Sequence, residues 1–285
     1  IVLVFGGFLI FQNSYYFDSG PHYVGSYTEG LLGQPQFINP VMASGSSVDM
    51  DLSRIIYSQL LKFDKEGNLT PELAEALPAV SADLKTYTLK LKPNLSWQDG
   101  KTITADDVIF TIQTIQNEDY DSPLKTNWSK VKVEKLDDLT VSIKLREVSV
   151  SFITNFALGI IPKHIWENLS PQKFRLSEYN LNPIGSGPFI LDRIKKTSDG
   201  TVKSISLKVN KKYFAGRAFL DKIVFNFYTD YDSLLSAYQS REIDGLGFMP
   251  FDKKAFLDVS DKYNQYKINL PQYQAVFLNL RNPIL

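Results

Sequence analysis

Residues 85–110, KTYTLKLKPNLSWQDGKTITADDVIF, carry three different backbone instructions in close succession. Tyr87, Leu89 and Leu91 alternate with polar side chains, which is the period of a strand with one buried face. Trp97-Gln98-Asp99-Gly100 is a turn, its glycine free to take the left-handed backbone that other residues resist. Thr104 followed three residues later by Asp107 spells a capping box, opening a helix that should run to about Asn117 with Val108, Ile112 and Ile115 turned inward. A strand, a turn and a capped helix in one run point to a chain that mixes both kinds of element.

The same mixture extends in both directions. Towards the C-terminus, strands are expected at Val131–Glu134 and Leu139–Leu145, and a helical stretch around Phe152–Leu158. A helix entry follows at Ile161-Pro162-Lys163-His164-Ile165, then a rigid connector at Asn182-Pro183-Ile184-Gly185-Ser186-Gly187-Pro188. Phe189–Ile194 and Val202–Val209 read as a hairpin about Ser198-Asp199-Gly200. Ile223, Phe225 and Phe227 share one face of a strand, Asp232–Gln239 is a helix, and Ile243-Asp244 a short strand. A helix at 251–261 and strands near 265–269 and 273–280 close the series. Towards the N-terminus, Thr70–Glu75 should start a short helix with Pro71 in its first turn. Asp49–Leu61 should be a helix with Ser47 or Asp49 as cap, and Gly30–Pro40 a short strand ended by an Asn-Pro turn. Strict strand–helix–strand alternation is absent, so the expected class is α/β of the mixed α+β kind with more than one lobe.

With 285 residues the chain is long for one domain. Apolar residues make up 44% and charged residues 22%, which excludes a disordered or collagen-like chain. Thirty-one basic side chains balance 31 acidic ones, so the chain lacks the charge footprint of sequence-independent nucleic-acid binding. With no cysteine, disulfides, thiolate metal sites and thiol nucleophiles are excluded. Residues 1–11, IVLVFGGFLIF, contain no polar side chain and read as the remnant of a membrane anchor or signal segment, and residues 12–26 as a tether leading from it.

No catalytic constellation is found. His22 and His164 are the only histidines and have no zinc spacing between them. The glycine pair around Ser186 runs into Pro188, so it reads as a turn and not as a phosphate loop. Asp106 and Asp107 are adjacent and diverge on a helix, with Asp107 suited to capping. Trp97, Trp128 and Trp166 could stack on a ligand, but core packing is favoured for them. The expectation is no enzyme, no cofactor and no metal.

Ten blocks stand in order: Gly33-Gln34-Pro35-Gln36-Phe37-Ile38-Asn39-Pro40, Ile56–Leu61, Pro71-Glu72-Leu73-Ala74-Glu75, Lys85–Lys92, Trp97–Lys101, Thr104–Phe110, Ile161–Ile165, Asn182–Phe189, Asn210-Lys211-Lys212-Tyr213-Phe214 and Arg241-Glu242-Ile243-Asp244. Together they resemble the family 5 extracellular solute-binding proteins, peptide-binding receptors of ABC importers. The resemblance implies a two-lobed clamp of the type II periplasmic-binding-protein kind with an inserted subdomain, the second lobe being largely missing here. Lobe one would be 27–43 plus 181–270, the insert 44–180, and 271–285 the hinge crossover. It also implies a short peptide ligand, ABC permease subunits as partners, an extracytoplasmic location tethered through the N-terminal segment, and a monomer. Other ligands known in the family are nickel complexes, haem and oligosaccharides; a surface-anchored binding or chaperone module without transport is the remaining alternative.

An extended peptide is best held through its own backbone. The resemblance places Gln34, Pro35, Gln36 and Phe37 along the cleft, an ordinary core strand being the alternative for each side chain. Ser44, Gly45 and Ser46 would offer hydroxyls and N–H groups at the same mouth, or form a plain turn. Gly247 and Phe248 follow the Glu-Ile-Asp block and are placed beside the cleft.

Overall fold

The computed structural model describes residues 25–247. The anchor segment, most of the tether, Phe248, the helix at 251–261, the last two strands and the hinge crossover therefore lie outside the described residues. In chain order the elements are β1 (Ser26–Leu32), α1 (Ser47–Ile56), β2 (Leu61–Phe63), β3 (Leu69–Pro71), β4 (Ala79–Val80), β5 (Thr86–Lys90) and α2 (Ala105–Gln116). Next come α3 (Lys125–Trp128), β6 (Val131–Lys135), β7 (Thr140–Leu145), α4 (Lys163–Trp166), α5 (Pro171–Leu176), β8 (Phe189–Lys196), β9 (Val202–Val209), β10 (Lys222–Tyr228), α6 (Tyr231–Gln239) and β11 (Gly245–Leu246). This is the mixed α/β class expected from the sequence.

One sheet is five-stranded in the order β11-β1-β10-β9-β8, with β1 parallel to both β10 and β11 and the hairpin β8–β9 antiparallel beside it. A four-stranded antiparallel sheet, β4-β5-β7-β6, is built wholly from residues 79–145. Its inner face carries Tyr87, Leu89, Val141 and Ile143, all buried. Against it lie Trp128, Phe152 and Phe156, with ring centroids 5.3–6.2 Å apart and mostly edge to face. Trp97, Trp128 and Trp166 are at most 2% exposed, so all three indoles are core. Each such ring removes enough apolar surface from water to stabilise the fold by roughly 2–3 kcal/mol.

The capping box predicted for α2 is present: the Asp107 carboxylate accepts from Thr104 N–H at 2.9 Å. Its second oxygen accepts from Lys163 N–H at 2.9 Å, tying α4 to the start of α2. Burial raises the Asp107 carboxyl above its ordinary range and these two N–H groups pull it back. The Asn-Pro-Ile-Gly-Ser-Gly-Pro connector lies against the end of α1. Gly187 N–H donates to Ile56 O at 2.8 Å, and Ser58 donates to Ser186 twice, from its N–H to Oγ and from its hydroxyl to the carbonyl. Gln98, from the turn, donates to Phe189 O at 2.8 Å and accepts from Gly185 N–H at 3.0 Å.

Several expectations shift. Residues 70–75 are extended and not helical. Leu73 N–H bonds to Gln59 O and Ala74 N–H to Leu60 O, and Ala74 bridges Leu91, so cross-chain pairing with both side chains fully buried overrides local propensity. Glu72 accepts instead from Gln59 N–H at 2.8 Å and Tyr213 Oη–H at 3.0 Å, joining two of the motif blocks. Helix α1 ends at Ile56, because Tyr57 turns extended and Leu61 enters β2. The first strand is Ser26–Leu32, so Ser26 belongs to the sheet rather than the tether, and the strand ends at Gly33, whose φ is +114°. The last short strand is Gly245–Leu246, one step beyond Ile243-Asp244.

Candidate functional site

Parallel strands β1 and β11 both end at the same edge of the five-stranded sheet, and ligands of open α/β sheets gather at such carboxyl edges. The chain leaving β1 there forms the 33–46 loop; the chain leaving β11 begins at Gly247, whose N–H bonds to Gly30 O at 3.2 Å. The loop is fastened along its length. Asp49, 2% exposed in the first turn of α1, accepts from Gln36 N–H at 2.8 Å. Its burial pushes its carboxyl up, against that hydrogen bond and one from Phe37. Asn39 closes a local turn by accepting from Val41 N–H at 3.0 Å, and Ile38 N–H bonds to Asn180 O at 2.8 Å. Finally, Ser122 Oγ donates to Val41 O at 2.6 Å, bringing the 122–124 turn against the loop.

Within this frame the sequence-predicted residues divide. Gln34–Phe37 is not a strand, because Gly33 turns the chain and Pro35 lacks a donor. Gln34 Oε1 accepts from Val202 N–H at 3.1 Å and so anchors the loop to the start of β9. Pro35 is buried, and Phe37 is half-buried with the Arg175 guanidinium 5.5 Å from its ring centroid. Gln36 is exposed. Ser44 and Gly45 are exposed, and the space beside Gly45 is open to at least 4 Å. Ser46 is the N-cap of α1, its Oγ accepting from Asp49 N–H at 3.3 Å, which Ser47 or Asp49 had been expected to do. Gly247 is half-buried, in a space where a Cβ would lie 2.9 Å from Glu29 Oε1.

Glu29 and Asp51 were not anticipated. Glu29 stands on β1 between Tyr27 and Gly247, and Asp51 reaches it from α1. Burial raises the Glu29 carboxyl, the Asp51 charge raises it further, and a Tyr27 hydrogen bond opposes both. Tyr27 is itself pushed up to about 12 by burial and by Glu29. Asp51 reaches solvent but is crowded enough for desolvation to raise it, with Arg54 pulling the other way. No periodicity or spacing brings residues 29 and 51 within electrostatic reach; only the fold does. A carboxyl raised on folding binds its proton more tightly in the native state, so stability is greatest below the ordinary value of 4.5 and falls as pH rises through the folded value. Glu29→Gln should therefore flatten the stability–pH profile from pH 4.5 upward and leave the protein at least as stable at pH 7, read by urea denaturation across pH. A steeper profile in the variant would refute the raised Glu29.

Among the described residues no group of three or more His, Cys, Asp or Glu side chains is placed to hold a metal, and no helix is long and apolar enough to cross a membrane. The loop presents exposed hydroxyls and an open glycine on one side and is fixed by hydrogen bonds on the other.

Residues 68–285 match the model for bacterial extracellular solute-binding proteins, family 5 middle region. The chain is similar to the oligopeptide-binding protein AppA of Bacillus subtilis, 31% identical over 252 residues that cover 87% of this chain and 44% of the relative. The structure of that protein in complex with a nonapeptide superposes with a TM-score of 0.73 at 30% identity, over 83% of this chain and 46% of the other. The substrate-binding protein CtaP of Listeria monocytogenes gives 0.70 at 36% identity, over 81% and 46%. NikZ of Campylobacter jejuni in complex with Ni(L-His) gives 0.71 at 25%, over 82% and 45%. The chain thus spans somewhat under half the length of the relatives it matches. On the family match and these fold likenesses together, the chain belongs to the family 5 bacterial extracellular solute-binding proteins.

Proposed function

We propose that this chain contributes one wall of a peptide-binding cleft in the extracytoplasmic receptor of an ABC importer, which hands its ligand to the permease. The observation that carries the reading is the 33–46 loop. It is bonded to Asp49, Asn180, Ser122 and Val202 on its protein side, while Gln36, Ser44 and Gly45 stay exposed at the carboxyl edge of β1. A mouth of short hydroxyls and backbone is suited to a peptide main chain, whose groups are the same whatever the side chains. The likeness to AppA, solved with a nonapeptide, supports the same class of ligand. We take 27–43 plus 181–270 as lobe one and 44–180 as the insert, the 33–46 mouth falling at their junction, with the receptor a monomer tethered by the N-terminal apolar segment. Ligand held between this lobe and a second one would shift an opening–closing equilibrium towards the form the permease accepts.

Isothermal calorimetry on the product of the complete reading frame tests this. Mixed peptides of two to ten residues should bind with little side-chain preference. The likeness to NikZ supplies the competing outcome: heat with nickel–histidine and none with peptides would keep the fold and replace the ligand class.

A further inference from the structure

The four-stranded sheet has an outer face that its own stability does not explain. Lys132 lies directly across from Lys144, and one step along, Arg146 N–H bonds to Lys130 O, which sets those two cations side by side. Like charges opposed on one sheet face destabilise it. All four are exposed, and only Lys132 closes an ion pair among the described residues, to Glu134 at 2.6 Å. The four cations, with Val131 and Leu145, line a shallow hollow of about 340 Å³. The acids within range are Glu134, Asp83 and the exposed Glu147, while Lys85 adds a further cation beside Asp83. Apolar side chains protrude at the same end of the sheet: Val148 and Val150 on the chain leaving β7 are 49% and 84% exposed. Leu84, just before the Lys85 carbonyl that receives Leu145 N–H, is 50% exposed.

We propose that this face rests on a membrane surface bearing anionic phospholipid headgroups. Clustered cations meet the phosphates and the protruding aliphatic side chains dip towards the acyl boundary. A phosphate-bearing surface needs no deep pocket, and the face offers only a shallow one. Of the two edge strands, β6 borders these cations, and Gln116 Nε2 already donates to Val131 O at 2.7 Å and Trp128 O at 2.8 Å, so an added acidic strand finds that end occupied. The inference is independent of which solute the cleft takes.

The test is flotation of the full chain with phosphatidylcholine vesicles and with vesicles containing phosphatidylglycerol, at low and at high salt. Any contribution of the apolar N-terminal run is common to both lipids, so the readout is the anionic-to-neutral ratio. The variant K130A/K132A/K144A/R146A should lose that preference by about fivefold for each cation removed, and high salt should do the same to the unaltered chain. Val150→Ser, which removes apolar surface without changing charge, should lower binding to anionic vesicles without altering the salt dependence. A control with the same charge change on hairpin β8–β9 and the turn after it, K195A/K196A/K203A/K211A, should keep the preference, and circular dichroism of every variant should match the parent. Three results would overturn the proposal: equal binding to both vesicle types, equal loss in the control, or retention by polyglutamate beads with none on vesicles, which would point to an acidic protein partner.

Discussion

Gly185→Ala should lower the stability of this protein by about 3 kcal/mol or more, seen as a melting temperature depressed by roughly 6–12 °C for a body of this size. The backbone at Gly185 is not left-handed, so conformational freedom is not the reason. A Cβ there would lie 1.9 Å from Ile56 O and 2.7 Å from Ile56 C, both backbone atoms that cannot swing aside. The connector cannot slide away either. Gly185 N–H is held by Gln98 Oε1 at 3.0 Å, its carbonyl by Gln98 N–H at 2.8 Å, and two residues on Gly187 N–H bonds to Ile56 O at 2.8 Å. Relieving the clash means giving up several of these buried hydrogen bonds, at about 0.5–1.5 kcal/mol each and more for any group left unpaired. Gly45→Ala is the matched control, since nothing lies within 4 Å of its added Cβ. Thermal unfolding followed by circular dichroism compares the two; a Gly185→Ala protein melting within 2 °C of the parent would refute the close approach.

The Gly185 contact also shows what local sequence could and could not disclose. The connector's turn chemistry was legible from its prolines and glycines, but its docking site on Ile56 lies far away in sequence. The same division runs through the whole body. Hairpin β8–β9 and the capped helix α2 were readable because their determinants sit within a few residues: alternation about Ser198-Asp199-Gly200, and Thr104 facing Asp107. Residues 70–75 were misread because Pro71 and its neighbours suit a helix locally, while the pairing that holds them extended comes from Leu60 and Leu91. In the mouth, the glycine and serines at 44–46 were singled out through family resemblance. That Gln34 ties down β9, that Arg175 covers Phe37, and that the Asp51 charge is felt at Glu29 all depend on separate elements coming together. Alternation, capping and turn chemistry encode none of these, since each is set by where a distant helix or strand comes to rest.

Filling the mouth should separate binding from folding, and Gly45→Trp is the variant with the largest expected effect on ligand. Gly45 closes the short turn Ala43–Gly45 ahead of the Ser46 cap, is exposed, and has no atom within 4 Å of the position a Cβ would take. Its φ lies outside the left-handed region, so a large side chain meets no backbone penalty there. The cap itself is untouched, because Ser46 Oγ still accepts from Asp49 N–H. Stability should therefore stay within about 0.5 kcal/mol of the parent, as for other exposed substitutions. If Ser44, Gly45 and Ser46 face the ligand, an indole in the open space displaces the peptide backbone from the hydroxyls. Losing two or three such hydrogen bonds, with their partners left desolvated, amounts to about 3 kcal/mol, or roughly 100-fold in dissociation constant. Calorimetry with a peptide the parent binds reads the affinity, and a melting curve on the same sample reads the fold. An unchanged melting temperature with affinity lost places the 44–46 turn in the cleft. Unchanged affinity in an equally stable variant would move the ligand elsewhere and leave the Ser44–Ser46 segment as nothing more than the lead-in to α1.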